Sequence, residues 1–322
     1  MSILALAGGV GGAKLAEGLA ATLPPGELTV AVNVGDDFEH LGLHISPDID
    51  TVTYTLAGLN NQEQGWGLAG ETWNFITALE RLGGDAWFRL GDKDIATHIE
   101  RTRRLKTESL SAVTADFAKR LGIAQHIVPV SDDPVRTMVR TDRGLLAFQD
   151  YFVRLRCAPR VERLEFPGIE SMKPSAGFAA ALADPALTAI IVCPSNPFLS
   201  ILPILSIPGV RDALERRTVP LIAVSPIIGG QAVKGPAAKI MEELNIPVSS
   251  LGVAAFYDRL LDGLMIDAVD AALSSDIKEA SDTGGPAILV GDTMMRNSDD
   301  RRRVAAEVLA FAERLSAMSL SA

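Results

Sequence analysis

The sequence predicts a Rossmann-like α/β fold: a doubly wound, mainly parallel sheet with a mixed, largely helical insertion covering the ligand crevice. Three observations predict it. The chain opens with an apolar run, a glycine-rich turn and a helical stretch, in that order. Apolar runs rich in β-branched residues alternate with helical periodicity at both ends of the chain. That is the pattern of strands buried on both faces and joined by right-handed crossovers. Three glycine or proline turns follow predicted strands, where open α/β sheets bind their ligands.

Residues 3–7 form the first expected strand. Gly8-Gly9-Val10-Gly11-Gly12-Ala13-Lys14 follows and leads into a helix over 15–23. Glycines let a ligand approach the backbone, and unpaired amides at a helix N-terminus supply donors and partial positive charge. The turn therefore reads as a phosphate cradle; the plain alternative is an ordinary βα turn. It matches neither common fingerprint. A dinucleotide-binding G-x-G-x-x-G from Gly9 needs glycine where Lys14 stands, and a Walker A loop ending at Lys14 needs glycine at Ala13 and Ser or Thr at Leu15.

A second strand spans 28–33 and runs into Asn33-Val34-Gly35-Asp36-Asp37. Ser46-Pro47-Asp48-Ile49-Asp50-Thr51 then reads as a helix start, with Ser46 as N-cap and Pro47 at the first helical position. Helices are expected over 71–82, 92–106 and 110–121, followed by strands at 137–140 and 145–148. Strands at 188–193, 219–224 and 287–290 come later, separated by helical stretches that include 236–244, 252–262 and 299–315. Residues 1–60 and 181–322 are accordingly assigned to a nucleotide-binding core, and 61–180 to the insertion.

Composition narrows the function. The 322 residues are 48% hydrophobic, enough for a large core, and carry a net charge of −10. With a pI near 5.0 this disfavours a nucleic-acid-binding surface. Cys157 and Cys193 make neither a disulfide framework nor a C-x-x-C metal spacing. No apolar stretch reaches the ~18 residues that span a bilayer. The first residues lack a charged n-region and an h-region. A soluble cytoplasmic protein without membrane attachment is expected.

Asp36, Asp37, Asp48 and Asp50 fall within a short stretch beside the glycine turn, a set suited to Mg²⁺, which takes a few carboxylates plus waters and substrate phosphates. Taken singly, Asp48 and Asp50 are also simply acids favoured by a helix dipole. In Trp87-Phe88-Arg89-Leu90-Gly91-Asp92-Lys93-Asp94, Asp92 is expected to N-cap the following helix. Arg89 either salt-bridges on the surface or faces the crevice to bind a phosphate or ring. Gly229-Gly230 leads to Lys234, a second glycine turn able to hold a second phosphate. Pro194-Ser195-Asn196-Pro197 offers amides, a hydroxyl and a carboxamide in one loop, or is a plain turn. His40, His44, His98 and His126 show no metal spacing, His126 reading as a loop or core residue. There is no G-x-S-x-G elbow, and Cys193 reads as a small buried strand residue. Trp66 and Trp73 suit stacking on a flat ring or burial. Positioning and electrostatics are thus favoured over covalent catalysis.

These residues resemble the 2-phospho-L-lactate transferase family of coenzyme F-420 biosynthesis. The resemblance lies in GGVGGAKL at 8–15, NVGDD at 33–37, SPDIDT at 46–51, Gly65-Trp66-Gly67, LGDKDIATH at 90–98, FQDYFV at 148–153, PSNP at 194–197 and SPIIGGQAVKGP at 225–236. Cys193 stands where a small residue, often glycine, is expected, and Lys93 stands where an arginine is expected. The resemblance implies a transferase in which the terminal ribityl hydroxyl of a deazaflavin (Fo) attacks the phosphorus of a guanosine diphosphate carrying a small hydroxy or enol acid. GMP leaves and a phosphodiester forms. It implies phosphate binding by Gly9, Gly11 and Gly12, Mg²⁺ held by Asp36 and Asp48, and Asp50 orienting or deprotonating the hydroxyl. Arg89 binds the deazaflavin in this reading. Asn33, Ser195, Asn196, Gly229, Gly230 and Lys234 hold the donor. Lactate, enolpyruvate and glycerate all remain open as the acid. A homodimer is expected from the large apolar content. Two other readings stand beside this one: a non-catalytic nucleotide or nucleotide-sugar-binding regulatory protein, and, more weakly, an NAD-dependent dehydrogenase.

Overall fold

The computed structural model describes residues 2–279 and 285–319. Its centre is a seven-stranded sheet of β1 (Ser2–Ala7), β2 (Leu28–Val32), β3 (His126–Pro129), β4 (Leu187–Val192), β5 (Leu221–Val224), β6 (Gly263–Asp267) and β7 (Ala287–Gly291). All pairings are parallel, in the order β3-β2-β1-β4-β5-β6-β7. The order turns back between β1 and β4, which makes the carboxyl ends of those two strands the switch point where such sheets take ligands. Leu4, Ala5, Leu6, Ile191 and Ile222 are fully buried; these continuous apolar runs are what a sheet covered on both faces requires.

The expected doubly wound α/β fold is the observed one. Two of its strands, β3 and β6, carry no clear sequence signal. Strand β3 is only HIVP; its proline is tolerated because the strand lies at the sheet edge. Its His126 is exposed on that edge rather than in a loop or the core. Strand β6, GLMID, is a short run flanked by Asp262 and closed by Asp267, though all five residues are buried. Because β3 belongs to the central sheet, residues 61–180 are not wholly an insertion. The remainder of that stretch is helical, with a three-stranded antiparallel sheet of Met138–Thr141, Gly144–Ala147 and Val161–Glu165.

Helix α1 spans Gly9–Thr22 and α2 spans Pro47–Leu56. Helix α1 therefore starts six residues before the expected 15, and the glycine turn is its first turn. Apolar periodicity begins only at Leu15, which hid the earlier start; Gly9 itself sits at φ +63°. The glycines serve close packing: a Cβ on Gly11 would overlap the Pro194 carbonyl oxygen. Farther along, Gly18 lies against the backbone of Arg301 in the C-terminal helix Ser298–Ser319.

Helices α3 (Asn74–Arg81) and α4 (Asp92–Arg104) cap one another. Asp92 does not N-cap its own helix; it is the first helical residue, preceded by Gly91. Its carboxylate accepts from the backbone amides of Asn74 (3.1 Å) and Phe75 (3.0 Å) and from Thr72 Oγ1 (2.6 Å). Glu71 returns the contact, accepting from the amides of Lys93 and Asp94, both at 2.8 Å. The Thr72 hydroxyl and the Phe75 and Asn74 donors hold the Asp92 carboxyl at about 2. Its folded value lies below the unfolded one, so its stabilisation is present above about pH 4 and lost as pH falls toward 2. The Tm difference between wild type and Asp92→Ala is expected to be constant from neutral pH down to about pH 4 and to shrink below it. A difference that does not change with pH would show that the carboxylate's charge is not what caps α3. Helix α5 (Leu110–Arg120) then runs back toward β3.

Candidate active site

The carboxyl ends of β1, β2 and β4 converge on one hydrogen-bonded group. Gly8, extended at the N-cap of α1, donates its amide to Ser195 Oγ at 3.0 Å. Gly9 donates to Asp48 Oδ1 at 2.7 Å. Asn33 Nδ2 donates to Asp48 Oδ2 (2.9 Å) and Asp36 Oδ1 (3.2 Å), while its Oδ1 accepts from the Gly35 amide at 2.8 Å. The carboxamide is thus locked by its own loop and holds two carboxylates. Ser46 occupies the N-cap of α2 as expected, with Pro47 next, but its hydroxyl donates to Asp37 Oδ2 at 2.8 Å rather than capping. His44 Nε2 lies 3.1 Å from the same oxygen, and Asp37 Oδ1 is buried without a partner.

With Gly8 and Gly9 engaged, Val10 and Gly11 carry the remaining first-turn amides that the helix itself does not use. Gly12 stands one residue deeper, where an amide turns back into the helix. Asn196 Oδ1 accepts from the amides of Phe198 and Leu199, and its buried Nδ2 has no partner.

Burial pushes the Asp48 carboxyl up to about 6, against its bonds from Asn33 and Gly9. Burial, then Asp48 and Asp37, raises Asp36 well above the usual carboxylate range. Two buried carboxylates that repel each other and share one amide donor fit a divalent cation, which would supply the missing positive charge.

Asp50 faces elsewhere. Two residues on from Asp48 along a helix, it points about 200° away. Its carboxylate is gripped by Arg101, Nη1 at 3.0 Å to Oδ2 and Nη2 to Oδ1. His98 Nδ1 lies 3.8 Å from Asp50, and its Nε2 lies 3.3 Å from Asp94, which also accepts from Tyr54 Oη at 2.6 Å. Burial raises the Asp50 carboxyl despite Arg101 and His98. For Asp94 burial acts the same way but is outweighed by the His98 and Tyr54 bonds, leaving it below its ordinary value. Asp50, Asp94 and His98 offer ligand atoms within 4.8 Å of one another. Arg101 already provides the countercharge there, so the Asp36–Asp48 pair is the better cation site. A cavity of about 240 Å³ between α2, α4 and α5 is lined by Asp50, Tyr54, Arg101 and Thr114. Sequence reasoning assigned Asp94 and His98 no role and did not single out Arg101; their i, i+4, i+7 spacing puts them on one face of α4 but does not say that this face meets Asp50.

The remaining candidates have other partners. Gly229 and Gly230, both at positive φ, turn a short hairpin, and the Gly229 amide donates to Asp270 Oδ2 at 3.1 Å. The Arg89 guanidinium lies over the Trp73 ring, 5.0 Å from its centroid, exposed on the loop before α4. No hydrogen bond or ion pair among the described residues ties it to the Asp36–Asp48 group. Trp66 is 48% exposed. Cys193 is buried, which pushes its thiol up to about 12 and fits an inert residue at the end of β4.

Residues 3–297 match the family model described as 2-phospho-L-lactate transferase CofD. The chain belongs to this family. It is 39% identical over 320 residues to the phosphoenolpyruvate transferase of Streptomyces coelicolor, covering 97% of this chain and 98% of that one. It is 37% identical to the 2-phospho-L-lactate transferase of Methanosarcina acetivorans, covering 94% and 96%. The protein is a transferase. A UPF0052-family structure from Bacillus halodurans shares the fold, with a TM-score of 0.57 at 14% identity over 96% of this chain and 98% of the other. No helix among the described residues is long and apolar enough to cross a membrane. At the β1–β4 switch point lie the first turn of α1 and the buried Asp36–Asp48 pair.

Proposed function

We propose that this chain transfers a phospho-hydroxyacid or phospho-enol acid from a guanosine diphosphate-activated donor to the terminal ribityl hydroxyl of a deazaflavin, with release of GMP, in coenzyme F-420 biosynthesis. The observation that carries this reading is Asp48. One carboxylate meets the first turn of α1 through Gly9 and the second acid through Asn33, so phosphate donors and cation ligands sit side by side. In the reaction the ribityl oxygen bonds to the phosphorus bearing the acid, the bond from that phosphorus to the GMP oxygen breaks, and the hydroxyl proton passes to water.

The Val10 and Gly11 amides hold the attacked phosphate, and Asn196 Nδ2 and Ser195 support the donor from β4. Mg²⁺ between Asp36 and Asp48 would neutralise the diphosphate and the charge gathering on the leaving phosphate. Asp50 keeps its place toward the attacking hydroxyl in this reading from the family resemblance, and to serve there its carboxylate has to turn from Arg101, which holds it on the face of α2 away from Asp48. Arg89 on Trp73 offers a cationic, flat surface for the deazaflavin ring. Catalysis of this kind is positioning plus electrostatics.

The test is a mass-resolved assay with deazaflavin, Mg²⁺ and guanosine diphosphates of lactate, enolpyruvate and glycerate in turn. A deazaflavin phosphodiester with equimolar GMP is the expected result, and the preferred acid names the donor. Nucleotide binding without product from any donor would favour a regulatory protein instead.

A further inference from the structure

Two lysines stand beside the first turn of α1, and among the described residues neither makes an ion pair with a carboxylate. Lys14 lies one turn on from Val10 along α1, and its Nζ donates to the Met295 carbonyl at 2.9 Å. Lys234 arrives from the other half of the chain, and its Nζ donates to the Gln64 carbonyl at 2.5 Å. Gly65 brings the two segments together. Its φ is +82°, and a Cβ there would stand 2.6 Å from Val10 Cγ1 and 2.9 Å from Lys234 Nζ. The loop rests on Val10 only because no side chain intervenes.

The neighbouring Arg301 is already matched, pairing with Glu17 and donating to Gln62 Oε1 at 3.1 Å. Among the described residues the ion pair in this corner is Arg301–Glu17 and involves neither lysine. Burial, then Arg301 and Lys234, hold the Lys14 ammonium below the usual lysine range against the pull of Glu17. A chain of net charge −10 thus collects at one place two lysines that make no ion pair among the described residues, an arrangement that favours a bound anion.

We propose that Lys14 and Lys234 form a carboxylate subsite that takes the acid group of the donor, beside the amides that hold its phosphate. This assignment rests on the transferase reading above. A 2-hydroxy or enol acid joined to phosphorus through its 2-oxygen carries its carboxylate on the very next carbon. With the phosphate at Val10 and Gly11, that carboxylate falls on the flank of α1. Each ammonium, after one bond to a carbonyl, keeps two N–H groups for the two carboxylate oxygens. Lactate, enolpyruvate and glycerate all place the carboxylate alike, so the subsite accepts any of them and leaves the choice among acids to the groups around the third carbon.

The experiment is calorimetric titration of GDP, and of GDP esterified on its β-phosphate through the 2-oxygen of lactate, into wild type, Lys14→Met and Lys234→Met with Mg²⁺ present. Each variant is expected to bind the ester about tenfold more weakly, with its affinity for GDP changed by less than about twofold. An equal loss for GDP and ester would make the lysines diphosphate ligands and overturn the subsite. No loss for either ligand would overturn it too. Lys234 is exposed, so its variant keeps the test clear of folding defects. Wild-type protein that binds the ester but forms no deazaflavin product would instead overturn the transferase reading, independently of the variants' difference.

Discussion

Asp48→Asn is expected to lower transfer by about 10³-fold while GDP still binds. The substitution keeps an oxygen for the Gly9 amide, 2.7 Å away in the wild type, but removes a charge that burial and the nearby Asp37 already make costly. What is lost is the pull on a divalent cation and, with it, the neutralisation of the leaving phosphate. A second readout separates this from a general weakening. Millimolar Mg²⁺ should raise the Tm of wild type, because a ligand that binds only the folded state stabilises it by mass action. The same addition should leave Asp48→Asn unmoved, and a chelator should reverse the wild-type gain. A variant that keeps its Mg²⁺-dependent rise would show that Asp48 is not a ligand.

Asp50 is expected to give the other large effect, in two measurements. Arg101 is 2% exposed, and Asp50 is its carboxylate partner. Asp50→Ala leaves a buried guanidinium uncompensated, a loss of about 3–5 kcal/mol of stability. Replacing both partners, as in Asp50→Leu with Arg101→Met, should recover much of that loss, since the cost lies in the orphaned charge. The milder Asp50→Asn tests chemistry. It is expected to cut kcat by about 10²–10⁴-fold with little change in donor affinity. Unchanged turnover beside a lowered Tm would reduce Asp50 to the partner of Arg101 and remove its role toward the hydroxyl.

Much of the architecture was legible because it rests on local chemistry. The runs at β1, β4 and β5 are too apolar to be anything but doubly covered strands, and Pro47 after Ser46 marks a helix start wherever the helix leads. Strand β3 escaped because an edge position needs only four residues and tolerates Pro129. At the site, Asp36, Asp48 and Asn33 could be picked out by their closeness in sequence to the glycine turn. The partners of Asp50 could not. His98 and Arg101 reach it across some fifty residues of chain, and no short motif encodes which face of α4 turns toward α2. The capping of α3 by Asp92 was missed for a similar reason: a carboxylate next to a helix start is assumed to serve that helix, and here it serves its neighbour.

The contact between Gly18 and Arg301 has a consequence for how the chain is made. Strand β1 and helix α1 are made before the elements they rest on: β1 has β4 as one neighbour in the sheet, and α1 leans on the helix Ser298–Ser319. The glycine turn therefore forms on surfaces that are made much later than the turn itself. The packing behind the first turn of α1 is complete only when the helix Ser298–Ser319 docks, so a growing fragment that lacks this helix holds that turn less firmly.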